Sequence, residues 1–460
     1  IKLLGVSVED AAGTTVLDDL NVTFPAASSI AITASSEEDR HAFTKLLTRE
    51  LVPSHGAVTI AGQDLGALHQ VTIASRIGYV DSSPVLFEGL LGENINIALR
   101  TGPQLGAPDP AIPAESARTG NSTDPVDVAW LDPGAADVMS VAELQDWWIE
   151  LIASMGLTAP LFARAMEQKL APTRHPELAR ALVDLRTDIA KAVDAAGLAD
   201  QVSFFDESTY NPTLPVAENL IFAMPLMPIT AQILIDHPSF LSFLSKLDLE
   251  RDLLQLAADI VNLLRQIFGV DGTDHPLFRK LGLETTAFEA ALAVLPAHHR
   301  GARLSLRQKA ELLAVPFVIP AEKIGPAFPA EIVTRVMQIR QAHAPALQET
   351  TQTLFAPLSR EAPIAGLSAL ENALFGKIRD GVNADALRAL VGERLRAAGL
   401  EGGILHQLFD LPVTLGGSNL PATLSEAVAF GRAAVKRPDI LILDRPLASF
   451  DVTVREGIHT

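Results

Sequence analysis

Apolar and polar positions change rhythm twice along the chain. Over the first hundred residues the apolar runs are short and strand-like. Val16, Leu17, Leu20, Val22 and Phe24 partly alternate with polar residues, 29–33 reads as a short buried strand, and further strands are expected at 57–61 and 77–80. The turn residues Pro53 and Gly56 precede the first of these two, and one helix is predicted before them, over about 37–50. From about 140 to 400 apolar residues recur three and four apart, so that 177–196, 246–268 and 384–398 each read as an amphipathic helix. The last residues return to the first texture, with a helix expected around 425–436 and an apolar strand at 440–443 entering Asp444. Residues 101–135 are rich in Gly, Pro, Ala and Asp and read as a linker. The layout is an α/β module split by a long helical stretch. Residues 1–100 form its opening segment, 101–365 a linker and helical insertion, and 366–460 its closing segment.

Composition narrows the partners. Hydrophobic residues make up 48% of the 460 and charged residues 20%, far from the balance that keeps chains disordered. Thirty-six Lys+Arg against 55 Asp+Glu leave a formal charge of −19, which argues against nucleic acid, whose affinity comes mainly from basic phosphate contacts. The absence of cysteine removes disulfides, thiolate metal sites and a cysteine nucleophile together. No run of about 20 unbroken apolar residues occurs; the greasiest stretch, 220–247, is interrupted by Pro225, Pro228, Asp236, His237 and Pro238. The chain opens at Ile1 in mid-pattern without a signal-like segment, and so reads as a piece of a longer polypeptide. His298-His299-Arg300 has no metal-binding spacing and reads as a solvated loop; no metal site is expected. Trp147 and Trp148 read as core or interface anchors, and Met224 and Met227 as packing.

A faint repeat runs through all three segments. Glu93-Asn94-Ile95, Glu218-Asn219-Leu220 and Glu371-Asn372-Ala373 each follow a leucine-containing turn and open an apolar, helix-like segment. Glu and Asn at a helix start satisfy its free N–H groups and its dipole, which explains one such triplet without common origin. The alternative is duplication of one loop.

The segments Val16-Leu-Asp-Asp-Leu20, Ile30-Ala-Ile32, Lys45-Leu-Leu47, Ile60-Ala-Gly-Gln-Asp-Leu65, Ile77-Gly-Tyr-Val80, Pro84-Val-Leu-Phe87, Arg432-Ala433 and Ile440-Leu-Ile-Leu-Asp444 follow one another in a telling order. That order resembles the nucleotide-binding domain of ABC transporters, exporter type, over about residues 1–100 and 370–460. The resemblance implies a P-loop NTPase fold of the α/β class: a mixed sheet with helices on it, here carrying a large, mainly α-helical insertion. Asn372, rather than Asn94, stands at the family's usual interval from Leu420.

In that family a glycine-rich loop at a helix N-terminus wraps the phosphates of Mg-ATP, with a Lys on the outer phosphates and a Ser or Thr on the metal. The matching residues run Ala34-Ser35-Ser36-Glu37-Glu38-Asp39-Arg40-His41. Ala34, Glu37 and Asp39 take the glycine positions, Arg40 the Lys position and His41 that of the hydroxyl. Non-glycine residues in left-handed backbone cost about 1–3 kcal/mol each, so the cradle is disfavoured. Like charges about 4 Å apart repel by about 4 kcal/mol at an effective dielectric near 20, roughly a thousandfold in affinity. Ser36 and Asp39 instead suggest a capping-box variant, with three acids on the positive end of the helix dipole.

The remaining family positions are altered too. Ser82 stands where the family has Gln, and Leu420, Pro421, Ala422, Thr423 and Leu424 replace the signature with both its glycines lost. Asp444 keeps the strand-end carboxylate and reads as a relic paired with Arg445. Arg445 occupies the general-base position and accepts no proton at neutral pH. An aromatic to stack adenine is missing near Glu9 and Asp10. The resemblance therefore implies a degenerate domain of an ABC-exporter-like transport protein, with ATP binding and hydrolysis weak or absent, no bound cofactor, and a coupling or structural role. Its partner would be a membrane domain of the same or another chain, in a homo- or heterodimer on the cytoplasmic side of the cell membrane. The loop from Ser83 to Phe87 would contact that membrane domain. Two alternatives are an interaction scaffold built on the helical insertion, and an ATPase active only beside a competent subunit.

Overall fold

The computed structural model describes residues 1–9, 12–81, 83–100, 102, 111–123, 129–269, 275–446 and 448–450. The chain divides into two compact units, one of residues 1–162 and 405–460, the other of 163–404.

In the first unit β1 (Lys2–Glu9) pairs antiparallel with β2 (Thr15–Thr23) and with β3 (His55–Ile60), and β3 pairs with β4 (Gln63–Asp64), in the order β2-β1-β3-β4. Alternation, shifted by an irregularity between Leu3 and Val6, sends Leu3, Val6, Val8, Leu17 and Val58 to one face, which buries against Phe43, Leu46 and Leu47 of the helix Glu37–Leu47. Gly56, at φ +78°, permits the close approach of β1, since a Cβ there would stand 2.2 Å from the Gly5 carbonyl oxygen. A second layer holds β5 (Ile77–Val80), β6 (Gly89–Leu90) and the helix Leu91–Asn96.

The second unit is mainly helical around one apolar core, to which Leu253, Ala257 and Val261 of the helix Glu250–Phe268 contribute along with Phe288, Leu312 and Val336. It also contains two copies of one motif. β7 (Val202–Phe204) leads through a loop to the helix Val216–Ile221, a left-handed Phe222 (φ 56°) and β8 (Ala223–Pro225). β9 (Phe355–Pro357) leads likewise to the helix Ala369–Leu374, a left-handed Phe375 (φ 50°) and β10 (Gly376–Ile378). The copies exchange strands: β7 pairs antiparallel with β10 and β8 with β9, so each copy's entering strand lies beside the other's leaving strand.

The first unit is completed by β11 (Pro412–Val413), antiparallel to β6, the helix Ala422–Ala434, and β12 (Ile440–Leu443), which lies parallel to β5 with Ile440 opposite Ile77 and Leu443 opposite Val80.

Four expectations change. The strand at 29–33 does not form, and Ile30 and Ile32 are 44% and 48% exposed. Two large apolar residues between Pro25 and the Ser36 cap bury too little surface to hold it. The mixed sheet is accordingly divided into the antiparallel four-stranded sheet and the separate parallel pair β5–β12. The helix expected over 246–268 is two, Pro238–Lys246 and Glu250–Phe268, broken where Asp248 turns left-handed at φ 52°. Within the expected linker, Ala111–Thr119 is helical.

Candidate functional site

Parallel pairing makes β5 and β12 end side by side, and each enters an aspartate, Asp81 and Asp444, at its C-terminal end. The Asp444 N–H donates to the Val80 carbonyl at 2.9 Å and extends the ladder one residue past the strand. Toward this edge points the first turn of the helix Glu37–Leu47. Ser36 caps that helix, its hydroxyl accepting from the Asp39 N–H at 3.0 Å, which is one half of the suggested capping box.

Four polar side chains meet there around Asp444, which is 1% exposed. The Arg40 guanidinium donates through Nε to Asp444 Oδ1 at 2.5 Å and through Nη2 to Glu37 Oε1 at 2.9 Å. His41 Nδ1 lies 3.1 Å from Asp444 Oδ2, and Arg445 Nη1 lies 3.3 Å from Glu37 Oε1. The hydrogen bond from Arg40, with the charge of that guanidinium, holds the Glu37 carboxyl below its usual range. Arg40 is raised in turn, first by Glu37 and then by Asp444. One donor atom each from His41, Asp81 and Asp444 lies within 4.8 Å of the other two.

The expected sites separate on this framework. Glu37, Arg40, His41, Asp444 and Arg445 come together; Asp39 serves the helix cap and Ala34 is exposed in the segment before it. The expected Asp444–Arg445 pair gives way to Asp444–Arg40 and Arg445–Glu37. Arg445, at φ 48°, turns left-handed as the chain leaves β12, and its side chain reaches the helix instead of its neighbour. Leu420, Pro421, Ala422, Thr423 and Leu424 open the helix Ala422–Ala434 and are not among the partners of Glu37 or Asp444. Ser82 lies outside the described residues, as does Asp10. Asp81 was not singled out in the sequence, although it follows its apolar strand as Asp444 follows its own.

The Glu-Asn triplets are built alike in three dimensions. Asn94 Oδ1 accepts from the Phe87 N–H and its amide donates to the Phe87 carbonyl, both at 2.8 Å. Asn219 pairs in the same way with the N–H and carbonyl of Asn211, and Asn372 with those of Ile364. An arginine from a neighbouring helix braces each loop: Arg432 donates to Asn94 and Val85 carbonyls, Arg340 to the Thr209 carbonyl, Arg186 to Asn372, Ser359 and Arg360 carbonyls. Each guanidinium also lies over a phenylalanine ring, Phe87, Phe222 and Phe375 respectively. Arg432 belongs to the helix Ala422–Ala434, so Asn94 is the triplet seated on the signature helix, whereas Asn372 lies in the other unit.

His298 and His299 end the helix Thr285–His299 rather than forming a loop. Trp148 is fully buried against Phe409, and the Trp147 Nε1–H donates to the Val435 carbonyl at 3.1 Å.

No family model matches the chain. Over 84 residues it is 34% identical to a sophorolipid transporter of Starmerella bombicola, covering 18% of this chain and 6% of that protein. An ABC transporter ATP-binding protein of Sinorhizobium fredii is 32% identical over 124 residues, 27% of this chain and 20% of its own length. The transport/processing ATP-binding protein ComA of Streptococcus pneumoniae is 27% identical over 90 residues, 20% of this chain and 13% of its own. The chain carries an ABC transporter nucleotide-binding domain. It spans between 6% and 20% of the length of these three relatives. The last two are named as ATP-binding proteins, which overturns the expectation that this nucleotide-binding domain takes no cofactor. Of the three grouped donors, Asp81 and Asp444 carry carboxylate oxygens of the kind Mg²⁺ takes, whereas the His41 imidazole does not fit that ion. Among the described residues no helix is long and apolar enough to cross a membrane.

Proposed function

We propose that the first unit is the nucleotide-binding domain of an ABC-exporter-like transport protein in which ATP hydrolysis is weak or lost and a coupling or structural role remains. One observation carries the reading: the Arg40 guanidinium sits on Asp444, the strand-end carboxylate kept from the family pattern, while Arg445 holds the general-base position and is paired with Glu37. Activating a water needs a group that accepts its proton, and a guanidinium does not. The pair takes one of the two Asp444 carboxylate oxygens and sets a positive charge beside the other, so nucleotide binding is weakened without being abolished.

The coupling role is supported by the loop at Ser83–Phe87. Arg432 and Asn94 brace its backbone, while Val85 and Phe87 stay 64% and 48% exposed. A rigid loop with exposed apolar tips suits contact with a membrane domain, in a dimer on the cytoplasmic side of the membrane. In this reading residues 101–365 are the linker and helical insertion, most of which falls in the second unit. Its own core and its duplicated loops favour a second role, as a partner-binding scaffold.

The test is ATP turnover by the purified chain beside an ordinary ABC ATPase in the same assay. Turnover far below the reference is expected, with a partial rise in the double variant Arg40→Lys, Arg445→Glu. Turnover equal to the reference in the unaltered chain overturns the reading.

A further inference from the structure

We propose that His41, Asp81 and Asp444 form a binding site for a divalent transition-metal ion of the Zn²⁺ or Co²⁺ class, filled without nucleotide. The three offer one imidazole nitrogen and two carboxylate oxygens, all within 4.8 Å of one another. They come from three elements that the fold fixes independently: the second turn of a capped helix and the adjacent ends of two parallel strands.

A second observation points to an ion. Asp444 Oδ1 is taken by Arg40, but Oδ2 is buried and has no hydrogen-bond partner, although His41 Nδ1 stands 3.1 Å away. The two atoms are close without being aligned for an N–H···O bond, as two groups are that aim at a common third point. Bonds of about 2.0–2.2 Å to a tetrahedral Zn²⁺ place neighbouring ligand atoms roughly 3.3–3.6 Å apart, so the 3.1 Å between His41 Nδ1 and Asp444 Oδ2 needs only a few tenths of an ångström of adjustment. On the far side of the ring, His41 Nε2 lies 3.9 Å from Glu37 Oε1 and 3.5 Å from Arg40 Nη2. Both contacts are long, so the ring is held toward Asp444 by Nδ1 rather than by Nε2.

Charge and softness agree. Asp81, Asp444 and Glu37 outweigh Arg40 and Arg445 by one negative charge, which favours a cation. Imidazole with carboxylates suits Zn²⁺, Co²⁺ or Ni²⁺, whereas Mg²⁺ favours oxygen alone. Three protein ligands leave coordination positions open to water.

The experiment is titration of the full, nucleotide-free chain with Co²⁺, read by visible ligand-field absorption and followed by competition with Zn²⁺. One Co²⁺ per chain, displaced by Zn²⁺, is expected. Affinity should fall by at least about 10-fold in His41→Ala and in Asp81→Asn and stay unchanged in His298→Ala. Asp81→Asn keeps the test open should changes at buried Asp444 unfold the chain. The proposal is overturned by no saturable absorption in the unaltered chain, by equal affinity in His41→Ala and Asp81→Asn, or by loss of the signal in His298→Ala. Because no nucleotide is present, failure here is separate from any result of the turnover assay.

Discussion

Replacing Glu218 by Gln should stabilise the second unit at alkaline pH and leave it nearly unchanged in mild acid. Glu218 is 6% exposed, and its Oε2 is buried without a hydrogen-bond partner. Burial pushes its pKa from 4.5 up to about 7; Lys377 opposes the shift and Glu371 adds to it. Between these two values the folded chain holds a proton that the unfolded chain has released. Stability therefore falls as pH rises from about 4.5 to about 7, and the loss is complete above 7. At about 1.36 kcal/mol per pH unit the full loss is about 3 kcal/mol, an upper figure if water reaches the carboxylate. Gln is neutral throughout and escapes it. The assay is urea unfolding of the full chain at pH 5 and pH 8, followed by far-UV circular dichroism. Tryptophan fluorescence serves as an internal control, because Trp130, Trp147 and Trp148 all belong to the first unit. An advantage for Glu218→Gln of about 3 kcal/mol at pH 8 that shrinks toward zero at pH 5 is expected. The same difference at both pH values, or a variant weaker at pH 8, would refute the reasoning.

The same two probes check two further substitutions. A Cβ at Gly431 would stand 2.2 Å from Nε1 of buried Trp148, so Gly431→Ala should cost about 1–3 kcal/mol by overpacking. The fluorescence midpoint should fall while the second unit's transition stays in place. Asn372→Ala removes the side chain that satisfies the Ile364 N–H and carbonyl and meets Arg186, and should cost about 2–4 kcal/mol in the dichroism transition. Asn94→Ala should instead lower the fluorescence midpoint, because its loop lies in the first unit.

Where the sequence is most readable, the cause is local. The strands Ile77–Val80 and Ile440–Leu443 are unbroken apolar runs stopped by aspartate, and the structure places them at the expected residues. The helix start at Glu37 follows from Ser36, whose hydroxyl makes the capping bond. The failures are matters of distance. Nothing in residues 29–33 announces that no partner strand will pair with them. The triplets are visible as Glu-Asn pairs, but their braces are not, since Arg432 meets Asn94 from 338 positions away and Arg186 meets Asn372 from 186. The charged cluster is half legible. Arg40 follows Glu37 by three residues, the helical spacing at which opposite charges meet, and the two pair. Its second hold, on Asp444, requires the parallel strand pair, and so does the place of Asp81.

The exchanged strands of the second unit constrain how the protein can be made. Gly376 lies opposite Phe204, and Phe355 opposite Pro225, so neither ladder closes until the later copy has left the ribosome. While more than a hundred further residues are synthesised, the earlier copy waits with open backbone edges beside apolar Phe205 and Met224. Slow elongation or a stall in that interval would expose the nascent chain to pairing with its neighbours on the same message, which gives a chaperone a defined stretch to shield.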